Sequence, residues 1–342
     1  MAKRPTLLDV AKAAGVSIAT VNRVVAAASG VRDDTARKVA EAAARVGYQG
    51  RNLAAQDVLR PLPEVRLGFV LRKEKQAFYA GFAKSLRRAC AQVQGARVTA
   101  EIVFSDTQTP AEVAGHLLAM RGRADVVAAT AVNHGTVAEA VARLAEAGVP
   151  CITLLSDFAQ DVRAGYFGLN NLKVGRGAAQ MLSIAAVRPG KIALFVGGNR
   201  WHGHELRETG FRSQFREAAP GFEVLDTLVN LETRQLTCEA MLDLMARHRD
   251  LVGVYLAGGG MEGAIASLRE EARAGPIALV VNEVTPESRR ALDDGYVSLI
   301  VATPLEPLCR ELVAEMVQIK LEGGAMPGQR FFDPVLYLPE FG

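Results

Sequence analysis

Thr6-Leu7-Leu8-Asp9-Val10-Ala11-Lys12-Ala13-Ala14-Gly15-Val16-Ser17-Ile18-Ala19-Thr20-Val21-Asn22-Arg23-Val24-Val25 decides the fold of the amino-terminal region. Thr6 with Asp9 three places on is a relative of the capping box and predicts a helix start. Leu8, Val10, Ala11 and Ala14 follow at helical spacing, and Gly15 is a natural stop. Ser17 then offers a second N-cap, and Val21, Val24 and Val25 give the next helix its apolar side. The link, Gly15-Val16-Ser17, is a short glycine turn, so the pattern is helix-turn-helix. A third helix is predicted over about 33–46. Its apolar stripe is Val39, Ala42, Ala43 and Val46, its start carries Asp33 and Asp34 where the helix end is positive, and Gly47 ends it.

Charge separates this head from the rest. The chain has 342 residues and a net charge of +3. Residues 1–60 carry ten Lys/Arg against five Asp/Glu, and the remainder carries thirty against thirty-two. A basic head on a near-neutral body suits a polyanionic partner. With 49% hydrophobic and 23% charged residues the chain reads as globular and not disordered. No apolar run is long enough to span a membrane, and Asp9 and Lys12 interrupt any secretory signal core, so a cytoplasmic location is expected. Cys90, Cys151, Cys238 and Cys309 are widely spaced. They predict reduced thiols and neither a disulfide framework nor a metal knuckle.

Arg60-Pro61-Leu62-Pro63 stops any helix and marks the boundary, giving a head with its linker over 1–60 and a core over 61–342. From Val65 on, strands and helices alternate. Strands are predicted at Val65–Leu71, Val98–Phe104, Asp125–Thr130, Pro150–Leu155, Lys191–Val196, Phe222–Val229, Val252–Leu256, Ile277–Val281, Ser298–Ala302 and Phe331–Tyr337, with helices between most of them. Repeated βα units demand parallel sheets covered on both faces. The strands are too many for one sheet, so two doubly wound lobes are expected, with a ligand cleft at the carboxyl ends of the strands. The final elements are expected to complete the lobes by crossing back.

The head closely resembles that of the LacI/GalR family of bacterial transcription regulators. The pattern D-V-A-x-x-A-G-V-S-x-x-T-V-x-R-V is matched at every fixed position from Asp9 to Val24, and the match continues through Val31, Thr35, Val39, Ala43, Gly47-Tyr48 and Ala54. The core is similar to that family's periplasmic-binding-protein-like core. The fold class implied is a small all-α helix-turn-helix head followed by an α/β core of two doubly wound parallel-sheet lobes.

The resemblance implies that the helix after Ser17 lies in the major groove of double-stranded operator DNA. Ile18 and Ala19 then face base edges, Asn22 and Arg23 lie near them, and Thr6, Ser17 and Thr20 serve the phosphates. The chemistry agrees, because Arg reads guanine bidentately, Asn reads adenine and hydroxyls donate to phosphate. A protein-binding trihelical module is the alternative.

In the family the next segment forms a hinge helix that wedges a leucine into the minor groove. Here the usual Pro-Asn is Gly50-Arg51, with Asn52 one place later and Leu53 following, and Asp57 stands where the wedge leucine is expected. An Asp beside phosphates is repelled, so the expectation is a shifted hinge using Val58 or Leu59. Asn52 and Leu53 are the DNA-binding candidates of this segment.

In the core, Arg207-Glu208-Thr209-Gly210-Phe211 matches the R-x-x-G-[FYW] pattern whose Arg binds effector oxygens in the family; a planar guanidinium suits hydroxyl or carboxylate groups. The alternative is a surface Arg in an ion pair. Asn282 and Glu283 follow strand Ile277–Val281, Asp157 follows Pro150–Leu155, and Phe78 and Tyr79 follow the first core strand as ring-stacking candidates. Trp201, the one Trp, precedes Arg207. These seven residues are the effector-binding expectation. Gly258-Gly259-Gly260 replaces an expected Asn-Asp pair, and Thr303-Pro304 lies where the family often places Gln.

His202 and His204 are too sparse for a metal site. Gly258-Gly259-Gly260-Met261-Glu262-Gly263 satisfies G-x-G-x-x-G but sits in a late βα unit, where a dinucleotide turn is not expected. There is no G-x-S-x-G elbow and no phosphate loop. Neither enzyme activity nor a cofactor is expected. The reading is an allosteric homodimeric regulator, a repressor, responding to a sugar-like, polyhydroxy or acidic metabolite between the lobes. The rival is a transporter's solute-binding protein, which shares the core but not the head.

Overall fold

The computed structural model describes residues 5–26, 31–48, 62–107, 109–198, 200–271, 276–324 and 328–340. The chain divides into two compact units, residues 1–63 and 64–342.

The first unit is built from α1 (Leu7–Ala14), α2 (Ile18–Val25) and α3 (Asp33–Val46). Its N-caps form as the side chains dictate. Thr6 and Asp9 make the full capping box, with the Asp9 carboxylate accepting from Thr6 N at 2.8 Å. Ser17 Oγ accepts from Thr20 N at 3.2 Å. Gly15 ends α1 in the left-handed region at φ 67°, where a side chain is disfavoured. Val10, Ala11, Val21, Val24, Val39 and Ala42 close into one small core. The hinge positions Asn52, Leu53, Asp57, Val58 and Leu59 lie outside the described residues.

The second unit holds two sheets. The first lobe comprises β1 (Glu64–Arg72), α4 (Ala77–Ala91), β2 (Arg97–Ser105), α5 (Pro110–Ala119), β3 (Val126–Ala129), α6 (Gly135–Glu146), β4 (Cys151–Leu154) and β5 (Gly165–Leu169). The second comprises α7 (Asn171–Ala185), β6 (Lys191–Val196), α8 (His202–Ala218), β7 (Glu223–Val224), β8 (Leu228–Val229), α9 (Arg234–Arg247), β9 (Leu251–Leu256), α10 (Met261–Glu270), β10 (Ala278–Asn282), α11 (Pro286–Asp293) and β11 (Leu299–Ala302). Then α12 (Leu305–Glu322) returns to pack on the first lobe, β12 (Gln329–Phe332) joins the first sheet, and β13 (Val335–Tyr337) joins the second.

The strand order is β12-β5-β4-β3-β1-β2 in the first sheet and β13-β11-β10-β9-β6-β7 in the second, where β8 also pairs with β6. All pairings are parallel except β11 with β13. Such sheets must be covered on both faces, and β1 shows how. Leu67, Phe69 and Leu71 pack under α4 and α12, while Val70 faces the opposite core beneath α5 and α6.

The structure departs from the sequence reading in four places. Strand β5 is absent from that reading, because two glycines dilute a five-residue run whose every residue is buried. The expected strand 222–229 is two short pieces pairing with the two ends of β6. Between them the Arg212 guanidinium donates to Leu225 O at 2.9 Å and Thr227 Oγ1 at 2.7 Å. Helix α11 forms on a Thr285–Ser288 capping box with Pro286 in its first turn. The expected last strand is two strands, one in each sheet, so the chain passes between lobes at 170, 303–304 and 333–334.

Candidate functional site

In the head, α2 buries Val21 and Val24 and leaves Ser17, Ile18, Ala19, Asn22 and Arg23 exposed together. One side of the helix is spent on the core, so the other must carry any contact. Ile18 is an exposed apolar side chain, 46% accessible, beside polar neighbours. Ser17 Oγ and Thr20 Oγ1 share a hydrogen bond of 2.9 Å at the helix start, and Thr6 is exposed at the start of α1.

In the second unit a cavity of about 440 Å³ opens between the lobes at the carboxyl ends of the strands, where a doubly wound sheet places its ligands. Phe78, Tyr79, Trp201, Arg207, Asn282 and Glu283 line it.

Arg207 is buried on α8. Its Nε donates to Asn171 Oδ1 and its Nη1 to Ala257 O, both at 2.7 Å. Two of its three nitrogens are therefore fixed by neutral acceptors. Among the described residues Nη2 has no acceptor. The helix can bring Arg207 this deep because Gly175 and Gly210 let α7 and α8 touch. A Cβ at Gly175 would lie 1.9 Å from Arg207 O, and one at Gly210 would lie 2.1 Å from Leu172 O.

Asn282 is 3% exposed. Its Nδ2 donates to Leu256 O at 2.7 Å and to the Tyr255 hydroxyl at 3.2 Å. Its Oδ1 is buried with no partner among the described residues. A buried unpaired acceptor is destabilising, by about 1–3 kcal/mol, and calls for a donor.

Glu283 sits at φ 70° and is already engaged. Thr303 N and Thr303 Oγ1 donate to its carboxylate at 2.9 and 2.6 Å. Burial pushes its pKa above the ordinary glutamate value, against the opposing pull of Thr303 and Arg207.

Asp157 is not brought to the cleft. It is 3% exposed and spends both oxygens inside the first lobe, accepting from Arg163 Nε at 2.6 Å, Arg163 Nη2 at 2.8 Å and Thr153 Oγ1 at 2.7 Å. The sequence reading placed it by analogy of strand ends; the loop turns it back towards Arg163 and Gln329.

Arg72, His204 and Glu232 are among the charged or titratable cleft residues that the effector expectation lacks. Arg72 had one usable signal, a cation closing a buried β run. Glu232 had none, since it follows no element of regular period. Its carboxylate is buried, which opposes ionisation, but Arg72 beside it holds the pKa down at about 2. His204 accepts from Gly197 N at 3.2 Å through Nδ1, and its Nε2 lies 3.8 Å from Glu232. Burial drives its pKa down to about 4, with Glu232 opposing and Arg207 and Arg72 assisting.

The glycine run at 258–260 now has a reason. A Cβ on Gly258 would lie 2.6 Å from His204 Cε1, and one on Gly260 2.5 Å from Thr237 Oγ1. The space beside this loop is occupied by His204 and Glu232. Gly263 serves helix packing, since its Cβ would lie 2.1 Å from Arg234 O. His202 lies 3.4 Å from Glu205 on the outside of α8.

Comparison with known proteins agrees with both units. Residues 67–323 match the family described as periplasmic binding protein domain, and residues 6–50 match the family described as bacterial regulatory proteins, lacI family. The HTH-type transcriptional regulator MalR of Streptococcus pneumoniae is 39% identical over 89 residues, which is 26% of this chain and 26% of that relative's length. The HTH-type transcriptional regulator GalS of Salmonella typhimurium is 24% identical over 283 residues, 81% of this chain and 78% of the relative. A solute-binding protein of an ABC transporter from Agrobacterium vitis, bound with alpha-D-tagatopyranose, superposes with a TM-score of 0.73 at 20% identity. That match covers 81% of this chain and 95% of that one, and at such identity the likeness is one of fold. With a lacI-type head at 6–50 and a binding-protein core that spans most of its length, the chain belongs to the LacI family of bacterial regulatory proteins, its core being a periplasmic binding protein domain.

Proposed function

We propose that this protein is a ligand-responsive transcriptional repressor. The head grips double-stranded operator DNA through the exposed side of α2, and the cleft of the core senses a small polyhydroxy or acidic metabolite. Two copies act together as a homodimer, each head reading one half of a near-palindromic site. Ligand binding changes the arrangement of the lobes and, through linkage, the affinity for DNA; the coupling is reciprocal.

The observation that carries the effector reading is the pairing of an unsatisfied acceptor with an unsatisfied donor in one cavity. Asn282 Oδ1 waits for a hydrogen and Arg207 Nη2 for an oxygen. A hydroxyl is both donor and acceptor, so a polyol can answer both groups. Phe78 and Trp201 line the same cavity and add apolar ring surface for the C–H side of such a ligand.

The test has two arms. A duplex selected from a random pool by the full chain is titrated at increasing salt, and affinity should fall by about 0.9 log unit per neutralised phosphate for each log unit of salt. A thermal-shift screen of sugars, polyols and sugar acids should then yield a ligand that changes the affinity for the selected duplex. Absence of duplex retention at low ionic strength ends the regulator reading; retention with no responsive metabolite ends the effector reading.

A further inference from the structure

The cleft also contains an ion pair that joins its two walls. Arg72 ends β1 in the first lobe, and Glu232 follows β8 in the second. Arg72 Nη2 donates to the Glu232 carboxylate, and both side chains are buried, 6% and 7% exposed. The guanidinium also lies over the ring of Trp201 in the second lobe, 3.9 Å from its centroid, and its Nη1 donates to the Tyr79 hydroxyl at 3.3 Å.

The second lobe is built to present this carboxylate. Leu231 and Glu232 are consecutive non-glycine residues in the left-handed region, at φ 48° and 54°. Such a conformation is strained and persists where the surroundings over-determine it. Here Asn230 Oδ1 accepts from Glu232 N at 2.9 Å, and Gly259 N donates to Glu232 Oε1 at 3.2 Å. Glycines make the room: a Cβ at Gly197 would lie 2.5 Å from Glu232 Cγ, and one at Gly259 would lie 3.1 Å from Glu232 Cβ. The carboxylate is therefore aimed before Arg72 meets it, which lowers the ordering cost of the pair.

Removing either partner from a buried pair leaves a charge stranded away from water, a far larger penalty than the net gain of the intact pair. The lobes can relieve that penalty by parting, because Arg72 and Glu232 sit on opposite walls. Among the described residues the other interlobe hydrogen bonds join neutral groups: Gly203 N to Ser156 Oγ and Asn133 N to Arg200 O, both 3.0 Å, and Asn171 Nδ2 to Leu155 O at 3.1 Å and to the Tyr166 hydroxyl at 3.3 Å.

We propose that Arg72 and Glu232, with Trp201 stacked on the guanidinium, form an interlobe clasp that holds the cleft closed before any effector arrives. The cavity of about 440 Å³ remains with the clasp engaged. A neutral ligand that fits this space leaves the clasp intact; an acid that competes for Arg72 opens it. The regulatory meaning of the clasp rests on the reading of this cleft as the effector site. The clasp itself does not, so its test uses neither effector nor DNA.

The full chain is labelled with spin probes at Lys84→Cys on α4 and Ala218→Cys on α8, in a Cys238→Ser background that removes the half-buried thiol. Pulsed electron resonance reads the distance between the lobes, and acrylamide quenching reads Trp201, the one tryptophan. Without ligand, the parent protein should show a single short interlobe distance and a protected Trp201. Glu232→Gln and Arg72→Gln should each lengthen the distance by several ångströms and raise the quenching constant severalfold. A parent protein whose lobes are already apart overturns the clasp without recourse to any variant. So does an unchanged distance in both folded variants, even if quenching rises, since that is local exposure only.

Discussion

Arg207 and Asn171 are joined by a hydrogen bond of 2.7 Å, and Asn171 in turn donates to Leu155 O at 3.1 Å on the far side of the cleft. The guanidinium is thereby held from behind by a residue that also touches the first lobe. Two of its nitrogens are thus fixed, and the residue lines the cavity. An arginine fixed in this way needs little reorganisation on binding, which is the physical basis of preorganised recognition.

Arg207→Lys removes the fork while keeping the charge, so the ligand-induced thermal shift should be lost although the protein still folds. Asp157→Asn should do the reverse. Breaking its buried pair with Arg163 costs about 3 kcal/mol of stability or more, and ligand affinity stays as it was. Urea unfolding and ligand titration of the two variants separate these roles.

Gly210→Ala should destabilise the core by about 1–3 kcal/mol or more, because the new Cβ meets backbone, Leu172 O at 2.1 Å, and backbone cannot rotate away. Gly177 on α7 has open space at its Cβ, so Gly177→Ala should leave the urea midpoint equal or raised. Denaturation curves of the pair check that the glycine effect depends on position.

His204 predicts the acid behaviour of the core. Its pKa falls from about 6.5 unfolded to about 4 folded, so the unfolded chain binds its proton first. Stability should decline as pH drops from 6.5 to 4, by roughly 3 kcal/mol in the limit. Glu232 acts in a second, lower window. Its folded pKa of about 2 lies below the ordinary glutamate value, so its contribution is present above that value and is lost as pH falls towards 2. His204→Asn keeps an acceptor for Gly197 N and should flatten the upper window alone, as read by the urea midpoint against pH.

Ser17→Ala and Arg23→Ala should part stability from recognition in the head. Ser17 caps α2, so its loss costs about 1 kcal/mol of folding stability. Arg23 is exposed, so its loss should leave the head's melting unchanged. Binding to the selected duplex should weaken by about 1–3 kcal/mol with relaxed base preference. A loss equal on all sequences, with a smaller salt slope, would make Arg23 a phosphate contact instead.

The head was legible because its signals are local. Capping residues, glycine stops and a helical apolar period act within four or five residues, and the fold obeys them at Thr6, Gly15, Ser17 and Gly47. The alternating βα pattern of the core was legible for the same reason, whereas Arg207 was legible only through its likeness to the R-x-x-G-[FYW] pattern of the family; the close helix contact at Gly210 came from the structure. The rest was settled by contacts that no local window contains. β5 is a strand because β4 and β12 flank it, and Asp157 is withdrawn from the cleft because Arg163 and Gln329 reach it first. Arg72 and Glu232 are 160 residues apart and meet only because two separately folded sheets bring their strand ends face to face. The sequence by itself determined the elements and the family; tertiary structure alone decided which charges oppose each other, because burial and Coulomb attraction act through space and not along the chain.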